Sequence, residues 1–212
     1  MIADDHAVVR AGLARLLESE KDFIVCAQAQ DGAQALELFI KTAPDAAIVD
    51  ISMPGLNGLD LIKNIQKRKK GFPILVVSMY DESVYAQRVL RAGARGYLMK
   101  KESAEKIVQA LRKILSGKIY LSDAMAEKIL GQFSSLGGVD KNKSISVHSL
   151  SDRELDVFEL IGRGHKTAAI AKQLNLSVKT VESYREQIKL KLHLKHSEQL
   201  LQHAIEWTHR QS

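Results

Sequence analysis

The chain has 212 residues, more than one small domain needs and a natural length for two. Its 45% hydrophobic and 26% charged content is that of a globular protein able to bury a core in each half. The net charge of +6 suits a nucleic-acid partner but is spread along the chain. Basic residues outnumber acidic ones 17 to 14 in 1–117, 4 to 3 in 118–149 and 10 to 8 in 150–212, so charge alone locates no binding surface. No run approaches the ~20 apolar residues of a membrane helix, and the acidic start Met1-Ile2-Ala3-Asp4-Asp5 contains no apolar signal region. The single cysteine, Cys26, excludes an intramolecular disulfide framework and fits a reducing cytoplasm.

Short apolar runs alternate with amphipathic stretches through residue 117. Phe23–Ala27, Ala46–Val49, Ile74–Val77 and Gly96–Met99 are brief, partly β-branched and not alternating, as expected of strands covered on both faces of a parallel sheet. Cys26 is accordingly expected to be buried. Between the runs lie helix-period segments at Ala7–Leu17, Ala33–Ile40, Leu59–Ile65, Ser83–Ala92 and Ala104–Leu115. This β-α repetition predicts a doubly wound α/β domain. The basic run Lys67-Arg68-Lys69-Lys70 reads as a solvated helix end. A further helix is expected over Leu121–Phe133, capped by Ser122. Ser134–Ser149 is polar and contains Gly137-Gly138, the composition of a flexible linker.

After Leu150 only helical patterns remain, at about 152–162, 168–174, 178–193 and 197–209. Ser151-Asp152-Arg153-Glu154 has the form of a capping box, and Gly162 and Gly164 mark the end of the helix it opens. Thr167 is expected to cap the next helix and Ser177 the one after. Helix, short turn, helix is the DNA-binding arrangement in which the second helix enters the major groove. On 178–193 the spacing turns Val181, Tyr184, Ile188 and Leu192 inward. Lys179, Thr180, Glu182, Ser183, Glu186 and Lys189 face outward, with Arg185 at the border. Lys179 and Thr180 are placed for phosphates, while Glu182 and Glu186 can accept from cytosine N4. An i,i+3 pair with Lys189 is the alternative role for Glu186. The last helix, with Leu200, Leu201, Ile205 and Trp207, is expected to close the small core and to offer a dimer face.

In an open parallel sheet, chemistry gathers beyond the carboxyl ends of the strands where strand order reverses. Asp4 and Asp5 follow the first apolar residues and Asp50 follows the Ala46–Val49 run, so the fold brings three carboxylates together. Such a cluster needs a cation, and a hard divalent ion such as Mg²⁺ suits an all-oxygen site. Ser78 and Lys100 end two later strands. Carboxylate, metal, hydroxyl and ammonium are the parts of phosphoryl transfer onto a carboxylate. Gly55 and Gly58 suit a tight loop just past Asp50, and His6 reads as structural.

These residues resemble the receiver domains of bacterial two-component response regulators. The resemblance covers 1–117 and is carried by Asp4-Asp5-His6, by Asp50 through Gly58, by Ser78, and by Gly93 through Lys100. It implies a flavodoxin-like, five-stranded parallel sheet with Asp50 as phosphoacceptor. Asp5, Asp50 and the carbonyl of Ser52 would ligate Mg²⁺, with Asp4 acting partly through water, and Lys100 would pair with the phosphate. Ser78 and Tyr97 would form a switch in which the ring turns inward behind the hydroxyl. Only three residues precede Asp4, fewer than the family's first strand usually has, which raises the expectation of a further amino-terminal stretch.

Residues 150–207 are similar to the LuxR-type helix-turn-helix. The carriers are Leu150-Ser151-x-Arg153-Glu154, Gly164-His165-x-Thr167, Ile170-Ala171-x-x-Leu174, Ser177 through Glu182, and Lys191-Leu192. Ala168-Ala169 replaces the charged pair often found before Ile170. Together the halves resemble the NarL/FixJ subfamily, implying a second, all-α, four-helix domain over 150–212 joined by a 118–149 linker. Lys166 and Thr167 complete the expected DNA contacts. The resemblance implies a sensor histidine kinase, double-stranded DNA and RNA polymerase as partners, a homodimer when phosphorylated, a bacterial cytoplasmic setting, and no catalytic turnover beyond phosphoryl transfer to Asp50. A covalent phosphatase would need a second carboxylate just after Asp50 and leaves 150–212 unexplained. A receiver used only for dimerisation does not account for the complete pocket, and an RNA-binding output does not fit the LuxR-type spacing.

Overall fold

The apolar runs assemble into one five-stranded, all-parallel sheet: β1 (Ile2–Ala3), β2 (Gln28–Ala29), β3 (Ala47–Val49), β4 (Ile74–Ser78) and β5 (Gly96–Met99), in the order β2-β1-β3-β4-β5. A computed structural model describes residues 1–134 and 147–211. The chain divides into two compact units, Met1–Gly131 and Gln132–Ser212.

Helices α1 (Ala7–Glu18), α2 (Gly32–Thr42), α3 (Gly58–Arg68), α4 (Glu82–Ala92) and α5 (Ala104–Leu115) alternate with the strands. Each connection is the crossover that parallel pairing requires. Leu13 and Leu17 of α1 join Ile107, Leu111 and Ile114 of α5 over Ile2, Ile48, Leu75 and Leu98. Strands β3 and β4 are buried along their full length, as the unbroken apolar runs dictate. Three helices start on a side-chain cap: Asp31 accepts from the Gln34 amide, Asn57 from Asp60 and Asp81 from Ser83.

Two expectations fail at the sheet edge. The ladder of β2 lies at Gln28–Ala29, not at Phe23–Ala27. Residues 23–27 alternate between half-buried and exposed, with Ile24 90% exposed, because this is an edge with one solvated face. For the same reason Cys26 is exposed rather than buried, its Sγ facing Thr42.

Helix α6 (Asp123–Ser134) begins after Ser122, whose hydroxyl accepts from the Met125 amide at 3.2 Å. Of the stretch expected to be a flexible linker, residues 135–146 lie outside the described residues. Ser134 ends α6, and Val147–Ser149 form one 3-10 turn.

The second unit contains α7 (Asp152–Gly162), α8 (Thr167–Leu174), α9 (Val178–Lys191) and α10 (Ser197–Gln211). The capping box is complete: Ser151 accepts from the Glu154 amide and Glu154 accepts from the Ser151 amide. Gly162 is the last residue of α7, and a Cβ there would lie 2.4 Å from the Ala204 carbonyl of α10. Leu155, Phe158, Ile170, Val181, Ile188 and Leu200 form the buried centre. Leu201 and Ile205 of α10 are exposed, whereas Trp207 packs on Phe158 with ring centroids 5.7 Å apart. No described helix is long and apolar enough to cross a membrane.

Candidate functional site

From β1 the chain moves outward to β2 on one side and to β3 on the other, so the switch point lies between β1 and β3. Asp4 follows β1 and Asp50 follows β3, and both are buried. The strand-end placement read from sequence thus brings these carboxylates together. Ligand atoms of Asp4, Asp5, His6 and Asp50 all lie within 4.8 Å of one another. Two buried carboxylates and a third at the rim are a hard-oxygen donor set, and they fit a divalent ion such as Mg²⁺.

Lys100, just past β5, extends its Nζ to Asp4 Oδ2 and Asp50 Oδ2, 2.7 Å from each. The other oxygen of Asp50 accepts from the Ile51 amide at 2.7 Å. Burial pushes the Asp50 carboxyl up from its ordinary value, and the neighbouring Asp4 charge adds to this. Lys100 and the Ser78 hydroxyl oppose it. Lys100 itself rises: burial would lower it, but the two carboxylates outweigh that. The pocket therefore holds one ammonium between two acids.

The loop after Asp50 is packed without slack. A Cβ on Gly58 would sit 2.1 Å from the Asp50 carbonyl oxygen, so only glycine lets α3 start this close to Asp50. His6 is a surface residue whose amide donates to Asp4 Oδ1 at 2.8 Å and whose ring lies 2.7 Å from Asp5.

Ser78 is the last residue of β4 and is fully buried. Tyr97 is buried too, and its hydroxyl donates to the Tyr80 carbonyl at 2.8 Å. Burial holds that phenol well above its usual range. The inward turn expected to follow phosphorylation is thus already made in this structure, because the Tyr80 carbonyl gives the phenol a partner inside.

Sequence reasoning missed two contributors. Arg10 donates to the Asp4 carbonyl at 2.7 Å, fixing the backbone of the pocket. Its position on the first turn of α1, which opens beside the pocket, was the available signal. Tyr80 acts through its main chain, which no side-chain pattern reveals.

In the second unit, α8 ends on Asn175 in the left-handed region at φ 55°, a conformation asparagine tolerates. Ser177 then caps α9 by accepting from the Thr180 amide. Thr167 does not cap α8: Lys166 occupies that position and makes no side-chain bond, leaving Thr167 as the first helical residue. On α9, Val181 and Ile188 are buried and Tyr184 half-buried, while Lys179, Glu182, Ser183 and Glu186 are exposed. Thr180 and Arg185 lie at the border. Lys189 pairs with Glu186 at 2.9 Å and is mostly covered. Among the described residues, no hydrogen bond or ion pair engages the side chains of Lys179, Glu182 or Arg185.

The response regulator receiver domain family matches residues 1–112, and the luxR family of bacterial regulatory proteins matches residues 148–204. The oxygen regulatory protein NreC of Staphylococcus carnosus (strain TM300) is 37% identical over 207 residues, 97% of this chain and 95% of that relative. The chain is a DNA-binding response regulator of the NarL/FixJ family. The same pairing of units recurs in the solved RcsB response regulator of Salmonella typhimurium, with 26% identity, a TM-score of 0.73, and 97% of this chain and 95% of that one covered. RcsB of Salmonella enterica serovar Typhimurium, bound to promoter P1flhDC in the presence of phosphomimetic BeF3-, gives 27% identity, a TM-score of 0.69 and 96% coverage of each chain. As a response regulator of this family, the chain couples a receiver sheet to a LuxR-type helix-turn-helix, as its sequence pattern implied.

Proposed function

We propose that this response regulator is switched by phosphorylation of Asp50 and answers by binding DNA as a dimer through α9. The observation that carries the reading is the buried contact of Lys100 with Asp50 and Asp4 at the switch point of the sheet, 2.7 Å to each acid. A sensor histidine kinase presents a phosphohistidine. A carboxylate oxygen of Asp50 attacks phosphorus, the P–N bond breaks, and the phosphoryl group is left as an acyl phosphate while the imidazole departs. Asp4, Asp5, Asp50 and the Ser52 carbonyl are the residues that would hold Mg²⁺, which when bound neutralises charge on the transferring group. Lys100 supplies a fixed cation beside the nucleophile and is released to the phosphoryl oxygens once Asp50 carries the acyl phosphate. Ser78 offers its hydroxyl to the same oxygens, with Tyr97 packed behind. Hydrolysis of the acyl phosphate resets the switch, and the chemistry is one transfer, not turnover of a substrate pool.

The functional boundaries that accompany this reading are a receiver at 1–117, a connecting segment at 118–149 and an output unit at 150–212. A homodimer sets two α9 helices on half-sites about one helical turn apart (~34–36 Å). Lys166, Thr167, Lys179, Thr180 and Arg185 face phosphates; Glu182 and Ser183 face base edges, with Glu186 and Lys189 beside them. The RcsB chain solved on a promoter with a phosphomimetic supports this assignment by its similarity. RNA polymerase is the natural downstream contact, and the bacterial cytoplasm the setting. The test is labelling by a small acyl-phosphate donor: the wild-type chain takes one phosphoryl group and Asp50→Asn takes none. Undiminished labelling of Asp50→Asn refutes the assignment.

A further inference from the structure

The segment leaving the receiver sheet does not simply depart from it. Tyr120 forms an isolated parallel bridge with Gly96 on the open edge of β5, with its amide donating to the Arg95 carbonyl at 2.9 Å and its carbonyl accepting from the Tyr97 amide at 3.1 Å. Two residues on, Ser122 is gripped by Glu82 of α4. One oxygen of Glu82 accepts from the Ser122 amide at 3.0 Å, and the other accepts from its hydroxyl. The same hydroxyl accepts from the Met125 amide, so the residue that opens α6 is also the residue tied to α4.

Glu82 is the first residue of α4, two positions after Tyr80, whose carbonyl holds the Tyr97 hydroxyl. The start of α4 is therefore fastened twice, from inside by the Tyr97 phenol and from outside by Ser122. Tyr97 is likewise held twice, at its amide by Tyr120 and at its hydroxyl by Tyr80. A cavity of about 70 Å³ lies beneath, lined by Glu82, Tyr97, Met99, Lys106, Tyr120 and Ser122.

We propose that residues 118–122 form a strap, and that Glu82 and Ser122 are positioning residues which hold Tyr97 in its inward place and tie that place to the start of α6. The inference rests on the reading of Ser78 and Tyr97 as the switch behind Asp50. If phosphorylation favours the inward ring, it favours the closed strap by the same amount. Linkage then requires that loosening the strap weakens capture of the phosphoryl group.

The test uses the full chain, with Glu82→Ala at a half-buried position and Ser122→Ala and Ser122→Thr at an exposed one. Beryllofluoride with Mg²⁺ is titrated while trypsin cleavage after Lys118, inside the strap, is followed by mass spectrometry. In the wild-type chain, beryllofluoride slows that cleavage. Glu82→Ala, which loses both bonds to Ser122, raises the half-saturating concentration roughly five-fold or more, in line with usual coupling strengths. Ser122→Ala keeps the amide bond and shifts it less, and Ser122→Thr restores the wild-type curve. Wild-type saturation and protection in Glu82→Ala and Ser122→Ala overturn the proposal. Acyl-phosphate labelling of Asp50 is measured in all four proteins. Labelling retained in the variants alongside shifted curves supports the strap, whereas loss of labelling in the wild-type chain overturns the pocket reading and the strap's role with it.

Discussion

Lys100 is the residue on which the receiver pocket turns, because two buried carboxylates share it. Removing one partner of a buried ion pair leaves uncompensated charge, at a cost of about 3–5 kcal/mol. Lys100→Ala is therefore expected to lower unfolding stability by about 3 kcal/mol, read as a shift in urea midpoint, and to slow labelling of Asp50. Midpoints equal to wild type contradict the buried contact. On α9 the expectations differ in kind. Lys179→Ala weakens DNA binding evenly across sequences and reduces the salt slope by about one, as loss of a phosphate contact does. Glu182→Ala relaxes preference at one base position, worth about 1–3 kcal/mol, and binding to randomised half-sites separates the two. Asp4, Asp50, Ser78 and Lys100 were legible because each ends an apolar run, where strand geometry leaves no choice of location. Arg10 and the Tyr80 carbonyl were not, since one depends on how α1 docks and the other carries no side-chain signature.

Helices and strands differ in how far local sequence determines them. The helix starts at Ser151 and Ser177 follow from capping chemistry within four residues, and both were readable. The β2 ladder was displaced from Phe23–Ala27 because pairing at an edge is set by the neighbouring strand, not by the apolar run itself, and Cys26 was misplaced with it. Thr167 shows the same limit at a helix start, where a residue with capping chemistry was drawn into the first turn. Glycine substitutions test these local environments. Gly12→Ala in α1 meets nothing within 4 Å and is expected to stabilise the chain by about 0.5–1 kcal/mol. Gly162→Ala drives a methyl into the α10 backbone and is expected to cost about 3 kcal/mol, so the two should move thermal midpoints in opposite directions. Glu154 supplies a pH signature. Burial would raise its carboxyl, but the 2.6 Å bond from Lys191 and the Ser151 amide outweigh that and hold it below the ordinary 4.5. A carboxyl lowered on folding stabilises above its unfolded value and loses that stability as pH falls through the folded one. The Glu154→Gln chain is therefore expected to be less stable than wild type at pH 7, with the gap closing as pH falls below the ordinary 4.5 in equilibrium unfolding.

The whole molecule joins a receiver unit to a LuxR-type helix-turn-helix unit, and charge contributes little to that division. The excess of basic residues is small in both halves, so under the proposed dimer specificity falls to the outward side chains of α9 and to the pairing of two α9 helices. Two-domain organisation was visible in the change from alternating to purely helical texture near residue 150. What the texture did not reveal was how tightly the exit from the sheet is stitched to α4, because Tyr120 and Ser122 look like ordinary connecting residues until their partners are known. Under the proposed function, the state of Asp50 sets the affinity for DNA. Operator affinity of the full chain, at fixed salt and with its mass in solution followed in parallel, is the direct measurement. Beryllofluoride with Mg²⁺ is predicted to tighten wild-type binding at least five-fold, within the usual range of coupling between sites, together with dimer formation, and to leave Asp50→Asn unchanged. Equal affinities with and without beryllofluoride, or the same response in Asp50→Asn, would contradict the account.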